Sequence, residues 1–91
     1  MGPADYVVTG ALIPDATGAY YQAGIANGYP VYARADGDFI LKHEISTSAW
    51  DIQEHPLGPD AISWTKLGND PTGVYVPGPT CSGDATVSAG P

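Results

Sequence analysis

Tyr29-Pro30-Val31-Tyr32-Ala33-Arg34-Ala35-Asp36-Gly37-Asp38-Phe39-Ile40-Leu41-Lys42-His43 is the stretch that decides the fold. Two runs rich in aromatic and β-branched residues flank Asp36-Gly37, a pair suited to a type I′ turn in which both central residues take φ > 0. Such a turn sets Ala35 opposite Asp38, Arg34 opposite Phe39, Ala33 opposite Ile40, Tyr32 opposite Leu41 and Val31 opposite Lys42. One face then carries Pro30, Tyr32, Arg34, Phe39 and Leu41, and the other Val31, Ala33, Ile40 and Lys42. Both faces are partly apolar, so packing is expected on each.

The same pattern continues in both directions. Upstream, residues 6–10 and 19–23 read as antiparallel strands. Between them, Pro14-Asp15-Ala16-Thr17-Gly18 forms a turn in which Asp15 can bond the backbone two residues on. Asn27-Gly28 is a second tight-turn pair. Downstream, residues 45–53 alternate, with Ser46, Ser48, Trp50 and Ile52 on one side and Trp50 and Ile52 pointing inward. Residues 61–66 make another strand with Ile62 and Trp64 inward. Asn69-Asp70-Pro71-Thr72-Gly73 turns, and Val74-Tyr75-Val76 is a short strand.

The 12 Gly and 9 Pro among 91 residues leave few windows in which a helix could run. The one longer window, between Gly37 and Pro56, is rich in strand formers. The expectation is an all-β domain over residues 1–76: a small antiparallel sheet or sandwich, or a partly open barrel, of about 6–8 short strands. From Pro77 the composition changes, and only Val87 has a sizeable apolar side chain. Residues 77–91 are expected as an extended arm that orders on contact, with residues 85–88 able to add as an edge strand to this sheet or another.

Ten acidic and three basic residues give a net charge of −7. Arg34, Lys42 and Lys66 stand alone rather than clustered, which argues against nucleic acid and anionic membranes as partners. A single cysteine, Cys81, permits no internal disulfide. The opening residues show neither a basic nor an apolar signal region, and no apolar run reaches membrane-spanning length. A soluble chain made in a cytoplasm is expected, unless it leaves inside a larger particle.

Candidate chemistry is sparse. No Gly-x-Ser-x-Gly elbow is present, and Cys81 has no His near it in sequence, so no catalytic residues are assigned. His43-Glu44 and Glu54-His55 lack the spacing of a zinc site. Asp36-Gly37-Asp38 lacks the further ligands of a calcium loop, so no cofactor or metal is expected. The aromatic surplus is the notable feature. Trp50, Tyr20, Tyr32 and Phe39 are expected in the core. Tyr21, Tyr29, Trp64 and Tyr75, near strand ends, form a candidate binding surface with Asn27 and Asp70, suited to sugar stacking or a protein hot spot.

Read in order, Tyr6-Val-Val-Thr-Gly-Ala11, Gly18-Ala-Tyr20, Ala23-Gly24, Asn27-Gly-Tyr-Pro-Val-Tyr32, Phe39-Ile-Leu41 and Trp50-Asp-Ile52 resemble a small Gly/Tyr/Trp β-module. That module recurs in bacteriophage virion proteins and in large multi-domain proteins of aquatic microbes. The resemblance spans residues 6–64 and brings turn and core positions rather than catalytic ones. It implies a virion surface component: a capsid decoration or cement protein, or part of a tail or fibre. Such a protein would dock onto capsid or tail proteins and self-associate in a symmetric assembly. A carbohydrate-binding module is the alternative.

Overall fold

A computed structural model describes residues 3–26, 28–56, 58 and 62–90. Eight strands run in chain order: β1 Tyr6–Thr9, β2 Gly18–Ala26, β3 Tyr29–Arg34, β4 Phe39–Glu44, β5 Ala49–Glu54, β6 Ser63–Leu67, β7 Gly73–Pro77 and β8 Ala85–Ala89. Each pairs antiparallel with the next, and β8 returns to pair with β1, so the sheet is a closed barrel. Closure leaves no open strand edge.

The β3–β4 hairpin has the expected register, with Tyr32 opposite Leu41 and Ala33 opposite Ile40. Tyr32, Phe39 and Leu41 are buried, while Val31, Ala33, Ile40 and Lys42 lie half-buried on the outside. The turn itself differs from the expected type I′. Positive φ is confined to Gly37 at 79°, and the Gly37 amide donates to the Arg34 carbonyl at 2.8 Å. Asp36 therefore escapes the left-handed region, which costs a residue with a Cβ about 1 kcal/mol. Its carboxylate instead accepts from the Asp38 amide and pairs with Arg34 at 2.7 Å.

A further expectation is corrected. Residues 45–48 are a turn between β4 and β5 rather than the start of a strand. The Ser/Thr alternation there offers neither face an apolar stripe to bury, and a tight reversal lets all of β4 pair with β5. In the C-terminal segment, residues 85–88 do add to the chain's own sheet, as one of the readings allowed, but inside a closed barrel and not at an edge. Residues 85–89 fill the gap between β7 and β1, with Val8 opposite Val87 and Tyr75 opposite Ala85. Small side chains suit this position because the barrel interior is already crowded with rings.

An eight-stranded barrel is just wide enough to be filled by its own side chains. Val8, Tyr20, Tyr32, Phe39, Leu41, Trp50, Ile52, Trp64, Tyr75, Ala85 and Val87 do so, with Leu12 and Ala16 from the β1–β2 loop. Trp50 and Ile52 point inward as expected, as does Trp64, and Ile62 packs against this cluster. Lys42, Glu44 and Asp51 occupy outward positions on β4 and β5. An apolar interior with ionisable groups outside reverses the pattern of a membrane-spanning barrel. Among the described residues no helix is long and apolar enough to cross a membrane.

A short motif, Asp-x-Thr-Gly-x-Tyr, occurs twice, at residues 15–20 and 70–75. In each copy the Thr amide and hydroxyl donate to the Asp carboxylate. The buried Tyr hydroxyl donates to the carbonyl four residues earlier: Tyr20 to Ala16 at 2.7 Å and Tyr75 to Pro71 at 2.6 Å. A basic head group then donates to the Asp carbonyl, Arg34 onto Asp15 and Lys66 onto Asp70. The stem of each cation crosses the motif glycine so closely that a Cβ on Gly73 would lie 2.6 Å from Lys66. The motif starts β2 at one end of the barrel and β7 at the other.

Candidate functional site

Meander topology sorts the loops onto two ends. The β1–β2, β3–β4, β5–β6 and β7–β8 connections share one end. The β2–β3, β4–β5 and β6–β7 connections share the other, along with the start of β1 and the end of β8. The two ends differ chemically.

The first end is acidic. Asp15, Asp36, Asp38, Glu54 and Asp84 stand in or beside its loops. The nearest basic residue, Arg34, is committed to structure: it pairs with Asp36, donates to the Asp15 and Thr17 carbonyls, and lies 4.7 Å above the Phe39 ring. Bonds from Thr17 hold the Asp15 carboxyl below its ordinary range, and the Arg34 hydrogen bond does the same for Asp36. These carboxylates brace turns. Among the described residues no group of three or more His, Cys, Asp or Glu is arranged to hold a metal ion.

The second end is aromatic and apolar. Tyr29 stacks on His43 with centroids 3.9 Å apart and planes 20° from parallel, and Trp50 meets both rings edge-on. Tyr32 leans toward Trp50, and Tyr6 stands edge-on to Tyr32 at 4.8 Å. The Trp50 indole N–H donates to the Asn69 carbonyl at 3.0 Å, and the Gly68 amide donates to the Ser48 carbonyl at 2.9 Å. These bonds tie the β6–β7 loop across the barrel mouth and onto the β4–β5 turn. At this end Ile25, Ile45 and Leu67, from three separate hairpins, are 72%, 62% and 74% exposed.

The residues expected to form a binding surface scatter across the molecule. Tyr29 belongs to the aromatic end and is half-buried. Asp70 is exposed there, but its carboxylate is held by Thr72, whose bonds keep its pKa low. Tyr21 is half-buried on the outside of β2. Asn27 lies outside the described residues. Trp64 and Tyr75 drop out of this surface: both are fully buried, Trp64 in agreement with its inward strand position. Their polar tips find carbonyl acceptors inside, Gly83 for the Trp64 indole and Pro71 for Tyr75, so neither ring needs the surface.

Sequence reasoning missed Ile25, Ile45 and Leu67, which it placed in a connection, in a strand, or not at all. The available signal was an isolated large apolar residue beside turn-forming residues, repeated three times. Only the barrel topology shows that the three share one end.

No family model, no curated protein and no solved structure matches this chain.

Proposed function

We propose that the chain is a non-enzymatic structural and interaction module that docks through the aromatic end of its barrel. The observation that carries this reading is the trio Ile25, Ile45 and Leu67, 62–74% exposed at one end of the barrel, where hydrogen bonds tie the β6–β7 loop to the β4–β5 turn and to Trp50. Large apolar side chains exposed at one end of a barrel favour a protein partner that covers them. The acidic opposite end would then face solvent and keep the particle or complex soluble.

With the sequence resemblance, the most specific form of this reading is a virion surface component assembled in a host cytoplasm. It would be a capsid decoration or cement protein, or part of a tail or fibre, with capsid or tail proteins as partners and no cofactor. The test is to purify particles from a host that makes the chain and measure its copy number on them. Wild type should be present in stoichiometric amounts, and the triple variant I25S/I45S/L67S should be lost from the particle while remaining folded. Absence of the wild-type chain from particles would sink the virion reading. Full incorporation of the triple variant would remove this end as the docking surface.

Carbohydrate binding ranks second. It is supported by the half-exposed rings of Tyr21 and Tyr29, one on the outside of β2 and the other at the aromatic end. With both tryptophans inside the barrel, it has fewer stacking surfaces to draw on. A glycan array showing binding that Y21A or Y29A abolishes would promote it.

A further inference from the structure

The β3–β4 turn carries chemistry of its own. Asp36 is the only aspartate of the chain that is followed by glycine. With no side chain beside it, a glycine amide is the least hindered nucleophile a backbone offers to the carboxyl group before it. Its nitrogen bonds to the aspartate Cγ, the carboxyl OH and the amide proton leave together as water, and a five-membered succinimide closes. Water then opens the ring at either carbonyl. Opening at the α-carbonyl leaves the main chain running through the β-carboxyl group, as isoaspartate. One water leaves and one returns, so no other reactant is needed and the mass is unchanged.

The folded turn opposes each requirement of that reaction. The Gly37 amide donates to the Arg34 carbonyl at 2.8 Å, which commits the nucleophile to a bond across the turn. The Asp36 carboxylate accepts from Arg34 Nε at 3.0 and 3.1 Å, from Arg34 Nη2 at 2.7 Å and from the Asp38 amide at 3.0 Å. The Arg34 bond also holds this carboxyl below its ordinary range, so it stays ionised and has no OH to lose. Arg34 is itself anchored outside the turn it guards. Its Nη1 donates to the Asp15 and Thr17 carbonyls at 2.7 and 3.2 Å, and its guanidinium lies 4.7 Å above the Phe39 ring.

We propose that Asp36-Gly37 is a self-modification site, an isoaspartate-forming pair that Arg34 keeps unreactive in the folded barrel. Isomerisation begins when the Arg34–Asp36 pair opens and the Gly37 amide leaves the Arg34 carbonyl. The product is a lasting mark, because an extra main-chain atom lengthens the turn and the same Gly37–Arg34 bond no longer closes it. The site lies at the acidic end and is independent of docking through the aromatic one.

The test compares the full chain with the free peptide Tyr29–His43, both held for weeks at mildly acid pH, where part of any unpaired carboxylate takes up a proton. Peptide mapping by mass spectrometry reads residue 36, where isoaspartate gives a second peak of unchanged mass. Deamidation at Asn27-Gly28 raises the mass and is told apart by it. The full chain should isomerise at least about tenfold more slowly than the peptide, a barrier difference of about 1.4 kcal/mol. R34M keeps an apolar stem against Phe39 without the guanidinium, and should isomerise at least about tenfold faster than wild type. If R34M lacks the near-UV circular dichroism of wild type, R34K, charged but without the planar fork, takes its place with the same direction expected. A wild-type chain that isomerises as fast as the peptide overturns the proposal. So does a folded Arg34 variant that isomerises no faster than wild type.

Discussion

Tyr29 covers His43: the two rings lie 3.9 Å apart and 20° from parallel, leaving the imidazole 3% exposed. Neither ring nitrogen has a hydrogen-bond partner among the described residues. A buried polar atom without a partner costs about 1–3 kcal/mol. His43→Phe keeps the stack on Tyr29 and the edge contact with Trp50 while removing that cost. Urea unfolding should find it at least as stable as wild type, by up to about 1 kcal/mol. His43→Leu serves as a smaller replacement. A loss above 2 kcal/mol in both variants would mean that the imidazole has a polar role this account misses.

The two Asp-x-Thr-Gly-x-Tyr motifs make paired predictions. Tyr20 and Tyr75 each donate a buried hydroxyl bond to a carbonyl four residues earlier, and burial pushes both phenol pKa values up. Tyr20→Phe and Tyr75→Phe should each lose about 1–2 kcal/mol. Their hydroxyls brace opposite ends and share no partner, so the double variant should show the sum to within about 0.5 kcal/mol. A marked departure from additivity in urea unfolding would show that the ends are coupled.

Strand β8 is predicted to be indispensable. Ending the chain after residue 84 removes Ala85 and Val87 from the core and exposes β1 and β7 as open edges. The truncated protein should aggregate or lose the near-UV signal of its buried tryptophans. Val87→Ala, a milder change, should cost about 1–3 kcal/mol. A soluble, folded truncation would restore the view of residues 77–91 as a detachable arm.

Backbone geometry gives opposite signs at two positions. Ser48 sits at φ 53°, and its carbonyl, which accepts from Gly68, does not depend on the side chain. Ser48→Gly should therefore gain up to about 1 kcal/mol. Gly83 sits at φ 89°, and a Cβ there would overlap the Ala11 carbonyl oxygen. Gly83→Ala should lose about 2 kcal/mol or more, combining strain with a clash. Thermal melts of the two variants should move in opposite directions.

Burial raises the Asp51 carboxyl above its ordinary value of 3.8; the Thr65 hydroxyl bond opposes this, and nearby Glu44 adds to it. A carboxyl raised in the folded state favours folding while protonated, and that contribution fades as pH rises through the folded pKa. Asp51→Asn does not titrate and still accepts from Thr65. The stability of Asp51→Asn relative to wild type should thus grow from pH 3.5 to pH 6.5, measured by denaturant titration at each pH. A flat difference would show that Asp51 is solvated as freely as a surface carboxylate.

The sequence by itself determined the class of fold, the β3–β4 register and most of the inward positions. Period-two alternation and paired turn residues act between neighbours along the chain. The Tyr32–Leu41 pairing, the Asp15–Thr17 turn and the inward Trp50 and Ile52 all follow from such local rules. Tertiary structure decided what depends on distant partners. The polar tips of the buried Trp64 and Tyr75 are satisfied because Gly83 and Pro71 offer carbonyls at the right distance. The segment that looked too poor in large side chains to fold is ordered because two waiting edges supply its hydrogen bonds. The meander then sorts the loops, so that Ile25, Ile45 and Leu67 lie at one end and most of the loop carboxylates at the other. That grouping depends on every strand pairing antiparallel with its successor, a long-range arrangement that local spacing does not fix.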